Sequence, residues 1–110
     1  EAQQAALAGF RANLGGKEAD ALSRDVFVAA GRGDEFGHSL GHGVGLMIHE
    51  APRVAATNGD VLQTGMVVTV EPGLYVPGWG GVRIEDVALV EPNGITILSA
   101  APKQAVIQSH

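Results

Sequence analysis

No cysteine occurs in the 110 residues, which excludes disulfide bonds, thiolate metal sites and a cysteine nucleophile. Basic charge is scarce: seven Lys and Arg stand against twelve Asp and Glu, a net charge of −5. No basic face is offered to nucleic acid or to an anionic membrane surface. No apolar run approaches the roughly 20 residues that span a bilayer. The opening Glu1-Ala2-Gln3-Gln4 lacks the positively charged start of a signal peptide. These absences fit a reducing, cytoplasmic setting. Position 1 is Glu and not Met, so the start is expected to be a product of cleavage or of fragment choice.

What is present suffices for a core, with 45% hydrophobic and 17% charged residues. The length suits one compact domain or one half of a larger one. The first 33 residues predict two helices. Ala5, Leu7, Ala8 and Leu14 lie in an Ala-rich segment of high helix propensity that Gly15-Gly16 ends. Ala21, Leu22, Val26 and Phe27 recur at a helical period between Lys17 and Ala30, with Gly31 and Gly33 as the stop. Asp20 and Arg24 stand at i, i+4 on that second helix and pair on one face.

From residue 36 to 110 the chain predicts mainly strands. Val67 to Val70 and Leu74 to Val76 flank a Glu71-Pro72-Gly73 break, where a strand is expected to bend. Val82, Ile84 and Val87 to Val90 form another strand, and Pro92-Asn93-Gly94 turns it back through Ile95 to Leu98. Two helices before an antiparallel sheet make an α+β arrangement.

Three of the four histidines, His38, His42 and His49, lie close together, and His42 has glycine on both sides. Such glycines permit tight turns and leave room for a ligand near the main chain. The plain alternative is a glycine loop with surface histidines. Glu71 and Glu85 follow apolar segments, where a carboxylate is costly unless paired or metal-bound. Alternation sets Glu85 on the face opposite Ile84 and Asp86, and an edge strand with both glutamates in solvent is the other option. One imidazole and two carboxylates suit Mn, Co, Zn or Fe(II). Spacing alone does not bring the three together.

In these residues the sequence resembles the pita-bread metallopeptidases, namely methionine aminopeptidase, aminopeptidase P and prolidase. Three signatures carry the resemblance in order. They are His38-Ser39-Leu40-Gly41-His42-Gly43-Val44-Gly45 with Ile48-His49-Glu50, then Thr69-Val70-Glu71-Pro72-Gly73, then Gly81-Val82-Arg83-Ile84-Glu85-Asp86. The resemblance implies helices packed on a curved antiparallel sheet, as the C-terminal half of a pita-bread (creatinase/aminopeptidase) fold spanning 1–110. It implies two divalent metal ions, Mn first with Co, Zn or Fe as alternatives. Five side chains hold them in the family, and His42, Glu71 and Glu85 match three, with Glu85 bridging. Glu71 also matches the proton-shuttling carboxylate, His49 the donor that steadies the developing oxyanion, and His38 a histidine on the substrate side. Arg83 is assigned with His38 and His49 to substrate binding.

Asp86 after Glu85, Arg83 before it and the run Tyr75-Val76-Pro77-Gly78-Trp79-Gly80-Gly81 resemble the proline-specific branch. The implied activity is metal-dependent hydrolysis of the bond preceding proline, as an Xaa-Pro aminopeptidase or dipeptidase. An ion pair from Arg83 to Asp86 or Glu85 is its plain alternative. The family's other two ligands are aspartates on an earlier strand pair, and Asp20, Asp25, Asp34 and Asp60 lack that spacing. The expected partner is therefore an N-terminal half carrying two Asp, and the isolated chain is expected to be inactive. A homodimer through an exposed sheet edge is a further expected assembly. A non-catalytic binding module, or a metal-free relative on the same fold, is the alternative function.

Overall fold

The computed structural model describes residues 1–57 and 59–106; Asn58 and residues 107–110, which include His110, lie outside them. Two helices, α1 (Ala2–Gly9) and α2 (Gly16–Ala29), precede a short 3-10 turn (Gly33–Glu35). Seven strands follow: β1 (Gly41–Gly43), β2 (Glu50–Val54), β3 (Val67–Val70), β4 (Gly73–Val76), β5 (Gly80–Arg83), β6 (Asp86–Glu91) and β7 (Gly94–Ile97). Five form one antiparallel sheet in the order β2-β1-β3-β6-β7, and β4 pairs with β5 in a separate hairpin. No helix among the described residues is long and apolar enough to cross a membrane.

The second helix follows its apolar period, and its first turn is closed by the Glu18 carboxylate, which accepts the Gly15 N–H at 2.9 Å. The first helix stops at Gly9, short of the expected Gly15-Gly16. The Phe10 N–H still donates to the Ala6 carbonyl, and beyond it remote acceptors draw the chain out of the helix. Ala12 N–H donates to the Glu91 carbonyl and Asn13 N–H to that of Leu62. Asn13 adopts φ of 66°, which asparagine tolerates better than most residues. Phe10 is thereby turned fully into the core.

The core lies between the helices and one face of the sheet. Ala6, Phe10 and Ala19 meet Val54, Val68, Val70 and Val90 there, all buried. Each large apolar side chain so placed stabilises the fold by about 1.5–3 kcal/mol. Because strand side chains alternate, Val68 and Val70 facing the helices oblige Thr69 and Glu71 to face the other way. That outer face carries the chemistry.

The strand β1 is squeezed between β2 and β3, and its glycines are the reason it fits. A Cβ on Gly41 would overlap the Thr69 carbonyl, and one on Gly43 the Ala51 carbonyl. The glycines flanking His42 thus admit neighbouring backbone, where the sequence suggested space for a ligand.

Candidate metal centre

A bulge between His42 and Gly43 interrupts the β1–β2 pairing, and bulges of this kind re-aim a side chain. The His42 N–H is held by Thr69 Oγ1 at 3.0 Å. The same hydroxyl donates to Glu71 Oε1 at 2.9 Å. One threonine thus fixes both the imidazole strand and the carboxylate. It is buried at 3% exposure, and sequence reasoning missed it. Its signal was there: a hydroxyl two positions before Glu71, on the same face, inside a valine strand.

His42 Nδ1 lies 2.9 Å from the Gly43 carbonyl. A carbonyl only accepts, so Nδ1 carries hydrogen and Nε2 is the nitrogen presented to the site. Nε2 lies 3.2 Å from Glu71 Oε1. Two ligand atoms each about 2.1 Å from one ion stand roughly 3.0–3.4 Å apart across angles of 90–109°. The pair therefore has the spacing of two neighbouring ligands, with the outer hydrogen bonds that hold metal-binding His and Glu in place. The residues fit a divalent ion.

Glu85 is placed by register. The β3–β6 ladder ends with Val70 opposite Asp86, and the β4–β5 ladder begins with Gly73 opposite Arg83. Continued across the break, the same register sets Glu71 opposite Glu85, and directly opposed side chains share a face. Pro72 has no N–H to donate to a ladder, but Ile84 N–H still reaches its carbonyl at 3.3 Å. Glu85 itself is exposed. No group of three or more His, Asp or Glu side chains close enough to share an ion forms among the described residues. The structure thus brings His42 and Glu71 into contact and leaves Glu85 outside that contact.

Arg83 points to Glu71, Nε to Oε2 at 3.8 Å, and not to Asp86 or Glu85. Asp86 is on the opposite face, where Gln3, Ser99 and Lys103 already bind its carboxylate. His49 lies in the exposed β1–β2 loop and sets its ring edge-on to His42, centroids 4.6 Å apart. Both line a pocket of about 430 Å³ with Ser39, Glu50, Ala51, Arg53 and Asp60. His38 packs edge-on against Phe36 and Tyr75. Its Nδ1 lies 2.8 Å from the Ser39 carbonyl, and its buried Nε2 has no hydrogen-bond partner.

Known proteins resemble this chain in sequence and in backbone fold. The profile described as metallopeptidase family M24 matches residues 1–92. The Xaa-Pro dipeptidase of Pyrococcus furiosus is 46% identical over 104 residues, covering 94% of this chain and 30% of that protein. The solved Xaa-Pro dipeptidase from Bacillus anthracis superposes with a TM-score of 0.94 at 52% identity, over 98% of this chain and 30% of its own. The X-Pro aminopeptidase from Thermotoga maritima gives 0.89 at 41% identity, over 94% and 29%. The chain spans about 30% of the length of these relatives. Its two helices on an antiparallel sheet are the C-terminal part of the pita-bread fold, and the chain belongs to metallopeptidase family M24.

Proposed function

We propose that this chain is the C-terminal part of a metal-dependent exopeptidase that cleaves the bond preceding proline. In this reading His42, Glu71 and Glu85 hold two divalent ions, Mn first, together with two aspartates from a preceding half. The observation that carries it is the His42–Glu71 pair, two ligand atoms 3.2 Å apart, on the face that the ladders also assign to Glu85. Bound there, the ions supply Lewis acidity and an activated water.

The chain's own residues do the rest. Glu71, oriented by Thr69 and flanked by Arg83, accepts a proton at its carboxylate and returns it to the leaving nitrogen. His49 donates a hydrogen bond to the developing oxyanion. His38 and Arg83 line the substrate side. Relatives named as dipeptidase and as aminopeptidase match comparably well, so the substrate class is the Xaa-Pro peptide of either length.

The test measures Xaa-Pro hydrolysis with Mn for the protein carrying both halves and for residues 1–110 alone. The complete protein is expected to turn over and the short chain to be inactive. Full activity of the short chain would refute the shared site. A complete protein that binds no metal would instead favour a non-catalytic module on the same fold.

A further inference from the structure

The helix pair Asp20 and Arg24 has no part in the peptidase chemistry, yet its side chains form a dense set of hydrogen bonds. Asp20 is fully buried, and the Arg24 side chain is three-quarters buried. Arg24 Nε donates to Asp20 Oδ2 at 2.5 Å and Nη2 to Asp20 Oδ1 at 3.1 Å. The same guanidinium reaches over to the next segment. Its Nη1 donates to the Phe36 carbonyl at 2.9 Å and its Nη2 to the His38 carbonyl at 3.0 Å. It also lies 4.3 Å above the Phe36 ring. Asp20 Oδ1 in turn accepts the Leu40 N–H at 3.0 Å. Two side chains one helical turn apart therefore grip the backbone at residues 36, 38 and 40.

A surface ion pair needs none of this. The planar fork uses all three of its nitrogens, which a lysine ammonium cannot reproduce. The gripped segment ends at Leu40, where β1 begins with Gly41. From there the chain has only Gly41 before it must deliver His42 against Thr69 and Glu71.

We propose that Asp20 and Arg24 are positioning residues for the candidate metal centre. They clamp Phe36–Leu40 to α2, which sets the path of His38 and the approach of His42 to Glu71. They touch neither substrate nor ion and act through the loop. The kinetic consequence rests on the peptidase reading, whereas the clamp itself does not.

The test uses the complete protein in three forms: unsubstituted, Arg24→Lys and Ser23→Ala. Ser23 is the control, since its buried hydroxyl donates to the Ala2 carbonyl at 2.7 Å and ties α2 to α1. In the unsubstituted protein the Leu40 amide is expected to exchange as slowly as the interior of α2. Arg24→Lys is expected to lose that protection and to lower kcat about 10–100-fold per folded molecule. Ser23→Ala is expected to lower Tm while keeping kcat and Leu40 protection. Arg24→Lys behaving like Ser23→Ala would overturn the proposal. So would a Leu40 amide exchanging at open-loop rates in the unsubstituted protein, a measurement that survives if no variant folds. If the unsubstituted protein hydrolyses no Xaa-Pro peptide, the peptidase reading fails and the exchange data still decide the clamp.

Discussion

Thr69 stands between the two residues in contact, accepting from the His42 backbone and donating to the Glu71 carboxylate. Thr69→Val keeps the shape and removes both bonds. The His42 N–H then loses its acceptor, at a cost of about 1–3 kcal/mol, and Glu71 is free to rotate. Metal titration of the complete protein is expected to show affinity weakened about 10–100-fold, and an unchanged affinity would deny Thr69 its orienting role. His42, Glu71 and Glu85 stood out along the chain as candidate ligands, an imidazole between glycines and two carboxylates after apolar segments, and of these the structure brings His42 and Glu71 into contact. The partner of Arg83 was not legible. Alternation separates Arg83 from Asp86, but only the meeting of the two hairpins shows that Glu71 is within reach.

Asp86 does for the strands what Arg24 does for the loop. Its carboxylate, buried at 3% exposure, receives Gln3 of α1 at 3.0 Å, Ser99 at 2.6 Å and Lys103 at 2.7 Å. It binds the first helix and the segment after β7 to the strand that begins just after Glu85. Asp86→Ala is expected to destabilise the complete protein by at least about 2 kcal/mol, since the buried Gln3 amide loses its acceptor. The Lys103 side chain is 31% exposed, and Lys103→Ala is expected to cost less than about 1 kcal/mol. Denaturant midpoints measure both, and equal losses would contradict this division. The single strand expected from Val82 to Val90 is split at Ile84-Glu85 into β5 and β6, which lie in different sheets, whereas the period of α2 and the turn from β6 into β7 were legible along the chain. The early end of α1 was not, because Glu91 and Leu62 supply the acceptors from far along the sequence. Nor were β1 and β2 legible as separate strands, since Gly41-His42-Gly43 has no β-branched residue to mark it. The i, i+4 pairing of Asp20 and Arg24 was correct in spacing, but spacing does not reveal burial.

The molecule has one finished face and one open one. Helices cover Val68, Val70, Ala88 and Val90, whereas His42 is met by His49 from a loop whose Leu46, Met47 and Ile48 are exposed, and the β4–β5 hairpin is tipped by exposed Trp79. The chain spans about 30% of the length of its relatives. The central claim is that one imidazole and two glutamates from this chain share cations with carboxylates from a preceding half. Anomalous diffraction from crystals of the complete protein grown with Mn tests it most directly. The account predicts two Mn peaks, one bonded to His42 Nε2 and both within ligand distance of Glu71 or Glu85, with two aspartates from the other half completing the shell. Ordered Mn bound elsewhere, with Glu85 turned away from Glu71, would contradict it.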